Sequence, residues 1–131
     1  MTEIAGLGQS ESRSYAPLPH GTWSNQLGSR LTLAPDGTGG LRGTYCGGTG
    51  ALAGAMYPVF GSYDATPSQA ATVLGFVVEW TEAHTVTSWA GRYHHADGSI
   101  TATWLMTTET ETADDWKSTF VGHDFFLRAG D

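Results

Sequence analysis

A chain of 131 residues, 40% of them hydrophobic, has the size of one domain with its own core and is short for two. Its 13 acidic side chains against 6 basic ones leave a net charge of −7, which repels phosphate backbones, and no stripe of Lys and Arg overcomes it, so nucleic acid is excluded as a partner. No apolar run approaches a membrane span and the first twenty residues lack a leader's charged-then-apolar pattern, which predicts a soluble chain with no membrane partner; the single Cys46 excludes an internal disulfide and a cysteine-based zinc site.

In chain order, residues 1–20 mix Gly, Ser, Pro and charge without periodicity and read as a flexible tail, leaving 21–131 as the folded domain. From Gly21 onward, period-2 patterning with Thr, Val, Trp and Tyr predicts eight short strands, at 21–26, 29–34, 41–46, 57–63, 72–80, 84–93, 99–106 and 118–127. Turn chemistry separates them: Pro35-Asp36-Gly37, the short Thr81-Glu82-Ala83 link and Ala96-Asp97-Gly98. Two linkers are longer, a glycine-rich one over 46–55 and an acidic one over 107–116 that has room for one helical turn capped by Thr112. Short sequential links imply antiparallel neighbours. Eight such strands expose two edges unless the sheet closes, so the expected fold is all-β, an eight-stranded antiparallel up-and-down barrel able to hold one small ligand. A two-sheet sandwich is the alternative.

Alternation assigns the inward faces. The first strands present Trp23, Asn25, Ser29, Leu31 and Leu33, the third Leu41, Gly43 and Tyr45. Later strands present Phe76, Val78 and Trp80; Thr85, Thr87, Trp89, Gly91 and Tyr93; Ile100, Ala102, Trp104 and Met106; and Phe120, Gly122, Asp124 and Phe126. Asp124 stands out, because a carboxylate among phenylalanines costs several kcal/mol or so unless donors meet it or it takes up a proton. Trp80, Trp89 and Trp104 supply flat apolar walls, while Asn25, Ser29, Tyr45, Thr87 and Asp124 supply polar atoms, a mixture suited to a small-molecule site. Asn25, Ser29 and Tyr45 can all donate to one carbonyl oxygen, and an ionised Asp124 can only accept, as from a ligand N–H. A cyclic urea meets both demands, and its N–H would be the partner Asp124 requires.

The segments GTWSNQLGS (21–29), GTY (43–45), TVTSWAGRY (85–93), TATWL (101–105) and WKSTFVGHD (116–124) resemble the avidin/streptavidin family of biotin-binding proteins, in the right order and over nearly everything after residue 20. The resemblance implies biotin as ligand, with no cofactor. It implies that Asn25, Ser29 and Tyr45 hold the ureido oxygen, Asp124 a ureido nitrogen and Thr87 the ring sulfur. Trp80, Trp89 and Trp104 would line the bicyclic ring, Thr85 would meet the valerate carboxylate, and Trp116 would close a neighbouring subunit's pocket in a homotetramer. It further implies an extracellular protein that sequesters free biotin. Two positions depart from the pattern. Gly47 stands where the family places a serine for the second ureido nitrogen, and Ala51 aligns with the asparagine that holds the carboxylate. Losing one hydrogen bond to a neutral group is worth about 0.5–1.5 kcal/mol, so weaker or faster-dissociating binding is expected unless water or Thr49 substitutes.

Taken singly, an inward Trp is core and an inward Ser or Thr bonds nearby backbone; their joint occurrence in family order reverses that reading. The outward Val121, His123 and Phe125 make the last strand apolar on both faces, which predicts a contact with another subunit. His94 and His95 are adjacent and point apart, so with Asp97 they form a solvated turn rather than a metal site. No nucleophile and base pair is visible, and a hydrolase using Asp124 with His123 fails because the two side chains face opposite ways; no enzymatic activity is assigned. A lipocalin-like carrier of another small amphipathic ligand shares the barrel but favours an aliphatic cavity.

Overall fold

The computed structural model describes residues 14–48 and 53–129. Among these, eight strands follow one another: β1 (Gly21–Ser24), β2 (Arg30–Pro35), β3 (Gly40–Cys46), β4 (Met56–Tyr63), β5 (Ala71–Trp80), β6 (Thr85–His94), β7 (Ile100–Thr108) and β8 (Thr119–Arg128). Each pairs antiparallel with its sequence neighbours, and β8 returns to β1, closing an up-and-down barrel. The closing seam is short, with Trp23 opposite Arg128 and Ser24 opposite Leu127. Among the described residues every strand thus has a neighbour on both sides, although β1 covers only Leu127 and Arg128 of β8.

The period-2 pattern decides which side chains fill the interior. Along β5, buried Thr72, Leu74, Phe76, Val78 and Trp80 alternate with Val73, Gly75, Val77 and Glu79 on the outer face. The end of the barrel carrying the β2–β3, β4–β5 and β6–β7 turns is filled. Trp23, Ile100 and Phe126 are wholly buried there, and burying side chains of this size stabilises by about 1.5–3 kcal/mol each. Trp23 donates its indole N–H to the Gly98 carbonyl at 2.6 Å. The Arg128 guanidinium lies 4.7 Å from the Trp23 ring and 4.5 Å from that of Tyr15, and donates to the Tyr93 hydroxyl at 2.8 Å.

Residues 14–20, expected to belong to a tail, pack on this sealed end. The Tyr15 amide donates to the His95 carbonyl at 2.7 Å, the Thr72 hydroxyl to the Pro17 carbonyl at 2.8 Å, and Pro19 is buried. Their composition carries no periodicity because the barrel supplies their partners. His95 is correspondingly more than a solvated turn residue, since its ring also meets Thr72 Oγ1 at 2.8 Å.

The opposite end is the mouth, formed by the β1–β2, β3–β4, β5–β6 and β7–β8 links. Asn25 and Ser29, expected on strands, sit in the β1–β2 turn instead. Asn25 Oδ1 accepts the amides of Leu27 and Ser29, each at 3.0 Å, which breaks the ladder and lets Gly28 adopt φ +80°. A 3-10 turn over Thr81–Ala83 joins β5 to β6. A second, Thr112–Lys117, precedes β8; Glu111 occupies its cap position without a side-chain bond, so the expected Thr112 cap is not made.

Candidate ligand-binding site

Asn25, Tyr45, Thr87, Trp89, Trp104 and Asp124 line one cavity of about 150 Å³, together with Leu27 and Met106. Its polar end is held by a hydrogen-bonded group. Because Asn25 Oδ1 is occupied by two backbone amides, the Nδ2 group turns inward, 3.3 Å from the Tyr45 hydroxyl and 3.5 Å from Asp124 Oδ1. Tyr45 is buried, and burial raises its pKa above the ordinary 10, a shift opposed by the neighbouring Ser29 hydroxyl. The phenol therefore remains a donor throughout the neutral range. Ser29 Oγ accepts the Gly48 amide at 3.2 Å, which leaves its own proton free.

Asp124 has protein partners, contrary to the expectation that a ligand would be the first to meet it. Trp89 Nε1 donates to Oδ2 and Gln26 Nε2 to Oδ1, both at 2.8 Å. The Gln26 carbonyl oxygen in turn accepts the Phe125 amide at 3.3 Å, which fixes the carboxamide orientation. A carboxylate has about four acceptor sites, so two charge-assisted bonds stabilise the buried charge and still leave capacity for another donor. Nothing in the pattern of the NQLGS turn signals that Gln26 reaches a residue 98 positions away.

The apolar walls form one aromatic assembly. Tyr45 stacks on Trp89 with centroids 5.3 Å apart, Phe76 stacks on the same indole at 4.9 Å, and Trp80 meets Tyr45 edge-on at 5.4 Å. Trp80 Nε1 donates to Thr87 Oγ1 at 2.8 Å, so the Thr87 hydroxyl proton is left for a group in the cavity. The Trp104 indole packs against Gly122, where any Cβ would run into it.

The remaining expected residues lie around this cavity or away from it. Thr85 is buried at the mouth, its hydroxyl donating to the Ala83 carbonyl at 2.8 Å and lying 2.9 Å from Thr108 Oγ1. Gly47 is half-buried and bridges to Ala53. The Gly48 that follows packs so closely on the Leu27–Ser29 backbone that a side chain has no room there. Ala51 and Thr49 lie outside the described residues. Trp116 is 82% exposed and far from enclosing its own chain's cavity, with Lys117 Nζ 5.6 Å from its ring. Phe120, inward by parity, is half exposed because β8 begins at the open rim.

The model of the Avidin family matches residues 14–129. This chain belongs to the avidin family. Relatives include avidin of Gallus gallus, 29% identical over 115 residues that cover 82% of this chain and 76% of the relative. Avidin-related protein 4/5 of the same organism is 30% identical over 115 residues, covering 82% and 75%. The avidin-family match begins at Ser14, within the segment that packs on the sealed end of the barrel.

Proposed function

We propose that this chain binds biotin non-covalently in the barrel. The observation that carries this reading is the meeting, in one cavity, of a donor group (Asn25 and Tyr45, with Ser29 beside them) and an acceptor, Asp124, that retains unused lone pairs. A ureido group presents one strong acceptor oxygen and two N–H donors, the complement of that set. Thr87 would meet the ring sulfur, and Trp80, Trp89 and Trp104 would enclose the bicyclic ring. A cavity of about 150 Å³ is small beside the 300–1,000 Å³ of ordinary ligand sites, so the head fills it and the tail continues through the mouth past Thr85. Nothing in this chemistry calls for a cofactor or for turnover.

The outer faces of β7 and β8 expose Leu105, Val121 and Phe125, and Trp116 stands out from the β7–β8 link. A homotetramer in which Trp116 closes a neighbour's pocket would cover these side chains. Such a protein, acting outside the cell, would sequester free biotin.

Calorimetric titration with biotin, by competition with a weaker analogue where binding is too tight, tests the reading. One site per chain is expected, weaker or faster-dissociating than where a serine replaces Gly47 and an asparagine replaces Ala51. Absence of heat and of displacement at millimolar biotin would overturn it.

A further inference from the structure

We propose that the mouth of this pocket favours ligands whose tail arrives uncharged, so that a biotin amide binds more tightly than the free carboxylate, with Glu82 setting the difference. The inference rests on the biotin reading above and specifies the ligand form that the site prefers.

Because the far end is sealed by Trp23, Ile100 and Phe126, a tail can leave only between the mouth links. Thr85 begins the strand that follows the Thr81–Ala83 turn, and Glu82 is the central residue of that turn. The Tyr57 hydroxyl donates to Glu82 Oε1 at 2.9 Å, and the Tyr57 ring packs edge-on against Trp80 at 4.8 Å. Trp80 in turn touches Tyr45 of the cavity wall, so the exposed Glu82 is linked to the cavity through Tyr57 and Trp80. A backbone N–H in the turn and the Tyr57 hydroxyl hold its pKa below the ordinary carboxylate value, which keeps it anionic at neutral pH.

No compensating cation is available among the described mouth residues. His84 Nδ1 is 3.8 Å from Glu109 Oε1, and Lys117 Nζ is 3.6 Å from Asp114 Oδ1. Glu111 and Asp115 add further negative charge on the β7–β8 link, while Arg30 opens β2 exposed on the outer wall. The Thr85 hydroxyl, the one donor expected for a tail carboxylate, is already committed to the Ala83 carbonyl. An incoming carboxylate therefore approaches a mouth whose links carry mainly negative charge, Glu82 among it, and whose expected donor is already engaged. A secondary amide carries no charge and offers an N–H, which an anionic rim accepts.

The test is competitive titration of biotin against its neutral N-ethylamide at pH 7.5, in low salt and in about 0.5 M salt, on the wild-type chain and on Glu82→Gln. Expected is an amide preference of about two- to tenfold in low salt, narrowing when salt shortens the screening length to a few ångströms and narrowing in Glu82→Gln through a gain in affinity for the acid. Tyr57→Phe, which keeps the charge and removes the hydrogen bond, should retain part of the preference. Equal affinities, or a tighter acid, would overturn the inference while leaving biotin binding intact. A preference unchanged in Glu82→Gln would remove Glu82 from the role. Binding of neither ligand would bring down the biotin reading and this inference together.

Discussion

Trp89 places its indole N–H 2.8 Å from Asp124 Oδ2 while its ring forms part of the cavity wall, so one side chain both shapes the pocket and stabilises its buried charge. Trp89→Phe keeps most of the apolar surface and removes the donor. Asp124 then depends on Gln26 and a long contact from Asn25. Hydrogen bonds to charged groups are worth about 1.5–3 kcal/mol, so a loss of roughly that size is expected in the unfolding free energy. Urea unfolding of the ligand-free chain measures it, and a midpoint indistinguishable from wild type would contradict this account of Asp124.

Gly122 exists to make room. Trp104 packs against it, and β8 can carry that indole against its backbone only where no Cβ stands. Gly122→Ala must displace Trp104 or bend β8. Overpacking typically costs about 1–3 kcal/mol, and here the displaced indole also changes the cavity wall. Thermal unfolding and biotin titration should therefore deteriorate together. Loss of stability with unaltered binding would mean that β8 yields and Trp104 stays.

Strand order and closure were readable because alternation is strong where the inner face is large and apolar, as in Thr72, Leu74, Phe76, Val78 and Trp80 along β5. Boundaries shifted wherever a side chain competed with the ladder, as Asn25 does by accepting two amides in the β1–β2 turn. Periodicity also brought Asn25, Tyr45, Thr87, Trp89, Trp104 and Asp124 to a common interior, but it carries no information on turn residues that reach across the mouth. Gln26 and Leu27 were missed for that reason, as was the Tyr57 to Glu82 contact, which joins an inward strand residue to a link. The docking of residues 14–20 was equally illegible, since Tyr15 and Pro17 gain partners only from the finished barrel.

If Tyr45 donates to the ligand, binding should be insensitive to moderate alkali. Burial raises its pKa above 10, and the Asp124 charge raises it further, so the folded protein keeps the phenol proton longer than the unfolded chain does. A raised value means that the donor is present below it and lost as pH rises through it. The dissociation constant for biotin should be flat from pH 6 to 10 and increase beyond. A rise beginning near pH 8 would show that another group governs binding.

Acid stability is set in part at the sealed end. The Ser99 backbone N–H, followed by the Ser99 hydroxyl, holds Asp97 below its ordinary 3.8, and the amides of Thr38 and Gly40 do the same for Asp36. A lowered folded pKa contributes stability that is present above 3.8 and is lost as pH falls through the folded value. The melting temperature should therefore drop as pH is lowered below about 4, and Asp97→Ala should flatten part of that dependence. Differential scanning calorimetry across pH 2–6 reads both effects, and an unchanged slope in the variant would exclude Asp97 from the acid transition.

Trp116 separates a subunit-bridging role from a local one. It is 82% exposed in the single chain, and its ring touches little of its own barrel beyond the Lys117 ammonium. Substitutions at such surfaces usually change monomer stability by less than about 0.5 kcal/mol. If Trp116 closes a neighbour's pocket, Trp116→Ala should speed biotin dissociation and weaken association of the chains, because a buried aromatic anchor is lost from both the ligand and the interface. Stopped-flow displacement and sedimentation at matched concentrations test the two effects. Unaltered dissociation in a chain that still assembles would confine Trp116 to the surface of its own loop.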